Sequence, residues 1–307
     1  MRNSFPPFDT PLLFLVFNRP DVTRQVFEAI RQAQPRRLFV AADGPRPHRP
    51  DDVAQCQAVR DIVTQVDWDC DIQTLFREEN LGCRKAGTGA INWFFEHVEE
   101  GIILEDDCLP NPSFFPYCQE VLEKYRHDTR VVHVNGNNFN ASELMPSPYS
   151  YHFTYFSQVW GWATWRRAWQ RYDVEMKLFS QFDHAQYYQH AGLSEPTFRK
   201  LRDKWMEAYE KQDEIWDYQW HFINLLEGGL VVAPRYNLIS NLGFQEEATH
   251  TRHADPLRQN LPTQALTFPL THPPCLFVDE RLNTHYRRMM VQPRLKVRIK
   301  RKLQQFI

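Results

Sequence analysis

Three consecutive carboxylates follow an apolar run in the stretch GIILEDDCLP. Residues 101–104 are typical of a buried strand, and Glu105, Asp106 and Asp107 come directly after them. Adjacent like charges repel one another unless a cation, hydrogen bonds or water offset them. Mg²⁺ and Mn²⁺ prefer oxygen ligands and often use only one or two protein carboxylates, which leaves positions for phosphate oxygens and water. The pattern therefore indicates a divalent-metal site, with an exposed acidic turn as the alternative.

Polar residues also follow three other predicted strands. They are Asn18 with Arg19, Asp43 with Gly44, and residues 80–84, which include Arg84. In open α/β sheets, ligands bind beyond the carboxyl ends of the strands. A guanidinium suits phosphate or carboxylate, and a carboxylate accepts an N–H group. We therefore expect the four strand ends to form one polar rim, although Arg19 and Arg84 could each be surface residues at a helix start.

The elements that position this rim alternate along the first half of the chain. Apolar runs at 12–17 and 37–42, and in CDIQTLFR and GIILE, predict strands, and segments with helical periodicity separate them. The predicted fold class is α/β, with a mostly parallel central sheet flanked by helices and a C-terminal subregion. VVHVN and LVVAP predict later strands, and two helices are predicted in SEPTFRKLRDKWMEAYEK and IWDYQWHFINLLEGG.

Composition excludes several classes of protein. The 307 residues carry a formal net charge of −2, which gives no general attraction to nucleic acid. The six cysteines show no zinc or disulfide spacing, so we expect a reducing compartment. The N-terminal apolar run is too short for a membrane span or a signal peptide, so we expect no export. The glycines match neither a P-loop nor a dinucleotide fingerprint.

The sequence resembles GT-A fold glycosyltransferases, in the arrangement of the Golgi N-acetylglucosaminyltransferase I group and bacterial relatives labelled haemolysin-like. The resemblance extends from about residue 12 to about residue 251. The motifs that carry it are FNRP, AADG, ILEDDCLPNP, WGWATW, IWDYQW and ATHT. It implies a metal-dependent, inverting transferase that moves a sugar from a nucleotide-diphosphate donor, of the UDP type, to a hydroxyl acceptor. The Golgi enzymes begin with a membrane anchor that is missing here, so compartment and acceptor do not carry over.

The resemblance assigns roles to the rim. Asp107 would contact Mn²⁺ or Mg²⁺, Asp106 would bind the ribose, and Glu105 would orient basic neighbours. Arg19, with Asn18 in the same turn, and Asp43 would hold the nucleotide, with the Asp43 carboxylate accepting the N–H of a uracil-type base. Arg84 is a candidate for a ribose or diphosphate contact.

Asp217 matches the family's catalytic base, which takes the proton of the attacking hydroxyl group. Its aromatic neighbours, among them Trp216, would desolvate the carboxylate and raise its basicity. Trp216 would also line a sugar pocket. An aromatic core is the competing interpretation, and Asp213 and Glu214 are alternatives if the register is shifted.

Two further segments are candidate contacts. Trp160, Gly161 and Trp162 would form part of an acceptor or sugar pocket, because glycine permits close backbone approach and indole rings stack on sugars. Packing between the two halves is the alternative use. Thr249 and His250 match the family's donor-closing loop, where Thr249 would contact the diphosphate and His250 would bind the metal.

The predicted organisation is a nucleotide-sugar-binding half at 1–140, an acceptor and catalytic half at 141–285 of the same unit, and a basic tail at 286–307. That tail alternates basic and apolar residues, so it predicts either peripheral contact with an anionic membrane or a solvated tail. The expected acceptor is a glycan or a lipid-linked sugar at a cytoplasmic location, in cell-surface polysaccharide or lipopolysaccharide synthesis. The alternatives are a sugar-nucleotide pyrophosphorylase, whose glycine-rich N-terminal loop is missing, and a non-catalytic carbohydrate-binding or cytolytic protein.

Overall fold

The computed structural model describes residues 8–139, 147–181, 186, 195–210, 216–243 and 260–291. In its first part, strands and helices alternate as the sequence predicts. The elements are β1 (Leu12–Val16), α1 (Pro20–Ala33), β2 (Arg37–Ala42), α2 (Pro50–Val63), β3 (Asp71–Phe76), α3 (Gly82–His97), β4 (Glu100–Glu105), β5 (Cys108–Pro110) and α4 (Phe114–Tyr125).

The second part adds more strands than the sequence patterns predict. The elements are β6 (Val131–Asn135), β7 (Tyr151–Thr154), β8 (Trp162–Trp165), α5 (Arg166–Trp169), α6 (Glu195–Glu210), α7 (Asp217–Leu226), β9 (Leu230–Pro234), β10 (Ile239–Asn241) and α8 (Glu280–Val291). Helix α6 lies within the predicted segment SEPTFRKLRDKWMEAYEK, whose first residue, Ser194, is outside the described residues. Strands β6 and β9 confirm the predictions from VVHVN and LVVAP.

One eight-stranded sheet forms the centre, in the order β3-β2-β1-β4-β8-β6-β9-β7. Neighbours from β3 to β4 are parallel, as are β6 and β9, whereas β8 and β7 run antiparallel to their neighbours. A second, two-stranded sheet pairs β10 with β5. The prediction of a mostly parallel central sheet flanked by helices is confirmed. Strands from both predicted halves belong to this one sheet. The functional division at residue 140 therefore stays a prediction.

Helices cover both faces of the sheet. Successive side chains of a strand point to opposite faces, and in β1 Leu12 and Phe14 join one core cluster while Leu13 joins another. The first cluster includes Val121 of α4, and the second includes Phe94 of α3. All five of these side chains are buried completely. Burial on both faces explains why β1 is a continuous apolar run without alternation.

Two predictions at the level of elements need correction. Trp162, predicted for the sugar pocket, is the first residue of the buried strand β8, which lies between β4 and β6. The predicted tail at 286–307 begins inside α8, where the ring of Tyr286 is completely buried. Residues 292–307 lie outside the described ones, so membrane contact by that segment stays a prediction. No helix in the described part of the chain is long and apolar enough to cross a membrane.

Candidate active site

The carboxyl ends of β1 and β4 bring Arg19 to the acidic triplet. The two strands are parallel neighbours in which Leu15 pairs with Glu105. Arg19 donates to both carboxylate oxygens of Asp106, with 3.3 Å between Nε and Oδ2 and a shorter bond from Nη2 to Oδ1. Its Nη1 lies 3.0 Å from Oδ2 of Asp107. One guanidinium therefore bridges two adjacent carboxylates, as the parallel-sheet argument predicts.

The charges at this rim do not balance. Burial alone would lower the pKa of Arg19, but Asp106 and Asp107 raise it well above its ordinary value, so the guanidinium stays charged. Burial raises the pKa of Glu105 to about 8, and the charges of Asp107 and Asp106 act in the same direction. Burial also raises the pKa of Asp106, against the effect of Arg19. Three carboxylates share one guanidinium, which leaves an excess of negative charge.

Glu105, Asp107 and Cys108 could together hold a metal ion. One donor atom of each lies within 4.8 Å of the others. The Cys108 thiol donates to Oδ1 of Asp107 at 3.4 Å, and burial, followed by the charge of Asp107, raises its pKa well above the ordinary range. The thiol therefore stays protonated, and the two carboxylates are the natural ligands. Their oxygens and their excess charge fit a hard divalent cation such as Mg²⁺ or Mn²⁺.

Asp106 contacts the basic neighbour that the sequence assigned to Glu105. Only 5% of its side chain is exposed, and both oxygens face Arg19. The expected orienting role therefore belongs to Asp106, because Asp106 and not Glu105 makes the ion pair. A ribose contact by Asp106 stays a prediction, since Arg19 already uses both of its oxygens.

The segment after β10 is attached to the acidic rim. The backbone N–H of Leu242 donates to the Asp107 carbonyl at 2.8 Å, and that of Gly243 donates to Oδ1 of Asn241 at 2.8 Å. A Cβ atom at Gly243 would overlap the Asp107 carboxylate, so only glycine fits there. The predicted donor-closing residues, Thr249 and His250, lie outside the described residues, and their roles stay predictions.

Asp43 orders the loop between β3 and α3. Its carboxylate accepts hydrogen bonds from the backbone N–H groups of Gly44, Leu81 and Gly82 and from the amide of Asn80, at 3.0–3.2 Å. Burial raises the pKa of Asp43, and the backbone bonds lower it. A carboxylate offers about four lone-pair sites, and four N–H groups already use them. Base recognition by Asp43 stays a prediction and requires displacement of one of these donors.

Asn18 and Arg84 are engaged within the protein. The Asn18 amide donates to Oδ1 of Asp52 at 2.8 Å, and Asp52 also forms a bidentate ion pair with Arg46. Arg84 is buried on α3 and donates to the backbone carbonyl of Val174. These bonds connect loops of the rim and link α3 to the second half. Donor contacts by Asn18 and Arg84 remain predictions.

Asp217 is the first residue of α7 and lies near the acidic rim. Burial raises its pKa to about 6, against the backbone N–H groups of Asp217 and Tyr218. Its charge in turn contributes to the raised pKa of Glu105. Cys83 is an exposed residue, but burial of its thiol, followed by the charges of Glu105, Asp217 and Asp43, raises the pKa of that thiol to about 12. Three strand ends and α7 thus act on a common region.

A pocket of about 110 Å³ opens beside Asp217. The residues that line it are Phe139, Ser157, Gln158, Val159, Trp160, Asp217, Tyr218, His221 and Met289. Trp160 and Asp217 were predicted for the site, whereas Ser157, Gln158 and His221 were not. His221 had one usable signal, because it follows Asp217 by four positions and therefore shares its helix face.

Three residues predicted for the sugar pocket belong to the core instead. Trp162 is completely buried and Trp216 is 4% exposed, with ring centroids 5.9 Å apart. Trp162 also stacks on His133 at 4.9 Å. Gly161 has φ +56°, and a Cβ atom there would come within 2.5 Å of Ile239, so packing rather than ligand approach requires glycine.

No protein family and no curated protein matches this sequence. Among solved structures, the chain is similar to the crystal structure of mouse xyloside xylosyltransferase 1 in its apo form, with a TM-score of 0.34 and 11% sequence identity. The similarity covers 71% of this chain and 81% of that chain. Similarity at this level is too low to decide function, which has to be argued from the residues of the site.

Proposed function

We propose that the protein is a metal-dependent, inverting GT-A glycosyltransferase that transfers a sugar from a nucleotide-diphosphate donor, of the UDP type, to a hydroxyl group. The observation that carries the proposal is the proximity of two chemically different groups. An acidic rim with excess negative charge lies near enough to a separate carboxylate, Asp217, for the charge of Asp217 to raise the pKa of Glu105, and burial raises the pKa of Asp217 itself to about 6. The first suits a cation and its diphosphate, and the second suits a base.

Each group has a defined task in this reaction. A divalent cation bound by Glu105 and Asp107 would stabilise the departing diphosphate. Arg19, held in place by Asp106, presents a permanent positive charge on the same side. Asp217 accepts the proton of the acceptor hydroxyl group. The oxygen of that hydroxyl group forms the new bond to the sugar, and the nucleotide diphosphate leaves. A pKa near 6 keeps Asp217 deprotonated at neutral pH while it remains a better base than an ordinary carboxylate.

A donor screen tests the proposal. The full chain is incubated with UDP-, GDP- and dTDP-sugars, with and without Mn²⁺ or Mg²⁺, and release of the nucleoside diphosphate is measured. We expect metal-dependent release that a chelator abolishes. Asp107→Asn should weaken metal and nucleotide binding together. Asp217→Asn should keep nucleotide binding and lower transfer by about 10²–10⁴-fold, the usual contribution of a general base.

Asp51→Asn is the matched control, because Asp51 is exposed in the first turn of α2. It should behave as the unchanged protein in every arm. Equal activity of all three variants would remove the proposed mechanism. Absence of both nucleotide binding and diphosphate release would contradict the enzymatic proposal and favour a carbohydrate-binding protein without catalysis.

A further inference from the structure

Several buried polar atoms of residues that line the pocket beside Asp217 have no hydrogen-bond partner among the described residues. His221 is 2% exposed, and neither of its ring nitrogens has a hydrogen-bond partner among the described residues. The same holds for Oγ of Ser157 and Nε2 of Gln158. Buried polar side-chain atoms are nearly always hydrogen-bonded in native proteins. Their concentration around one pocket indicates that something polar occupies it.

His133, another buried histidine, shows how a structural imidazole is satisfied. Its Nδ1 accepts from the Trp220 indole at 3.0 Å, and its Nε2 lies 2.9 Å from the Gln158 carbonyl oxygen. Among the described residues, His221 has ring contacts with Phe156 and Trp205, at centroid distances of 5.6 and 5.9 Å, and no hydrogen bond from its ring nitrogens. The two buried histidines therefore differ in how their ring nitrogens are satisfied.

The atoms around the pocket are complementary to hydroxyl groups. Burial lowers the pKa of His221 to about 3, so its ring is neutral and offers one N–H donor and one acceptor nitrogen. The Gln158 amide donates, the Ser157 hydroxyl does both, and the Asp217 carboxylate accepts. A hydroxyl group also donates and accepts, so several hydroxyls on one ring can satisfy these atoms together.

Anionic ligands find no counter-ion among the described residues of the pocket. No Lys or Arg lines the pocket in the part of the chain that the structure describes. The nearby Lys204 ammonium lies 5.8 Å from the Tyr218 ring and pairs with Glu207 at 3.1 Å. A carboxylate in the pocket would also meet the negative charge of Asp217. Aromatic residues supply the apolar wall, where Trp160 packs edge-on against Phe139 at 5.6 Å.

We propose that this pocket binds a hydroxyl-rich sugar ring without an anionic group, and that His221 determines this specificity by donating to one ring hydroxyl and accepting from another. Assigning that ring to the acceptor rests on the proposed glycosyltransferase function. The adjacent Asp217 then faces the hydroxyl group that reacts. His221 is a specificity residue that contacts the sugar, and it takes no proton from it.

Binding of defined glycosides tests the proposal without any need for turnover. The probes are methyl β-glucoside and methyl β-galactoside as neutral rings and methyl β-glucuronide as an anion, and ligand-detected NMR gives the dissociation constants. We expect at least one neutral glycoside to bind about tenfold or more tightly than the glucuronide. His221→Phe should weaken neutral binding by about tenfold, since one hydrogen bond contributes roughly that factor.

Thermal unfolding separates binding from a structural role. Because His221→Phe replaces an imidazole without partners by an apolar ring of similar shape, the variant should melt at the same temperature as the unchanged protein or higher. Ser157→Ala, a smaller change, should also weaken neutral binding. If neutral glycosides do not bind, if the glucuronide binds equally well, or if both variants bind as the unchanged protein does, the proposal is overturned.

Asp107→Asn distinguishes this failure from failure of the proposed function. It should abolish metal-dependent diphosphate release and leave glycoside binding unchanged. Glycoside binding without diphosphate release from any donor would remove the transferase proposal and keep the sugar pocket. Diphosphate release without glycoside binding would do the reverse.

Discussion

Arg19 donates to both oxygens of the Asp106 carboxylate, although 87 positions separate the two residues in the chain. Their strands, β1 and β4, are parallel neighbours, so the residues that follow them meet at one edge of the sheet. Asp106 has only 5% of its side chain exposed, whereas Arg19 has 26%. The pair thus places a buried carboxylate beneath a partly accessible cation, beside Asp107.

Loss of this cation should destabilise the fold. Arg19→Ala would leave the buried Asp106 carboxylate without its partner, which typically costs about 3–5 kcal/mol. Arg19→Lys keeps the charge but loses the two-pronged contact, so its cost should be smaller. Urea unfolding measures both. Arg130→Ala removes an exposed pair with Asp128 and should change stability far less; an equal loss would show that Asp106 does not depend on Arg19.

The rate of transfer should fall on the acid side of pH 6. Burial raises the pKa of Asp217 to about 6, and a base must be deprotonated to work. Below that pH, the rate should drop by about tenfold per pH unit. Because the charge of Lys204 lowers this pKa, Lys204→Gln should move the acid limb to higher pH. A rate that is constant from pH 5 to 8 would exclude Asp217 as the base.

Asp217→Asn should stabilise the protein at neutral pH. The pKa of this carboxyl group is 3.8 in the unfolded chain and about 6 in the folded protein. Ionisation of the group therefore lowers the free energy of unfolding as the pH rises from 3.8 to about 6. Each pKa unit corresponds to about 1.4 kcal/mol, and partial exposure of the side chain reduces the total to about 1–2 kcal/mol. The variant's advantage should therefore be full above pH 6 and vanish below pH 4. Urea titrations at pH 4 and pH 8 measure it, and a variant less stable at pH 8 would contradict the assigned burial.

Trp162 and Trp160 should respond differently to truncation. Trp162→Ala empties a completely buried site and should cost about 3–5 kcal/mol of unfolding free energy. Trp160→Ala changes a half-buried side chain that lines the pocket, so it should cost less stability and weaken sugar binding more. Unfolding curves and glycoside titrations on the same two variants decide this. Equal effects of the two variants in both assays would contradict the assignment of Trp162 to the core and Trp160 to the pocket.

Asp43→Ala should loosen the loop between β3 and α3. The N–H groups of Leu81 and Gly82 lose their acceptor, and because both bonds are only partly buried each loss should cost about 1 kcal/mol. Amide hydrogen exchange at these two residues should accelerate, and Asp43→Asn, which keeps one acceptor oxygen, should have a smaller effect. Asp71→Ala is the control, because its carboxylate is exposed at the start of β3. Unchanged exchange in Asp43→Ala would show that the loop is held by other contacts.

Local patterns predicted β1, β2 and β4 because these strands are buried on both faces. A continuous apolar run such as that of β1 has few alternatives, and the parallel arrangement places the following residues at one edge. The meeting of Arg19 with the acidic triplet follows from that arrangement alone. Strand β8 was not predicted, because the aromatic residues of WATW are equally typical of a sugar-binding segment.

By itself, the sequence determined the α/β class, the acidic rim and the identity of Asp217 as a candidate base. Only the tertiary structure decided that Asp106 holds Arg19, that Trp162 is core, and that Ser157, Gln158 and His221 share a pocket. The physical reason is that hydrophobic periodicity is local, whereas burial and hydrogen-bond partners depend on segments far apart in the chain. Only the folded structure shows that the ring nitrogens of His221 are buried without a hydrogen-bond partner among the described residues.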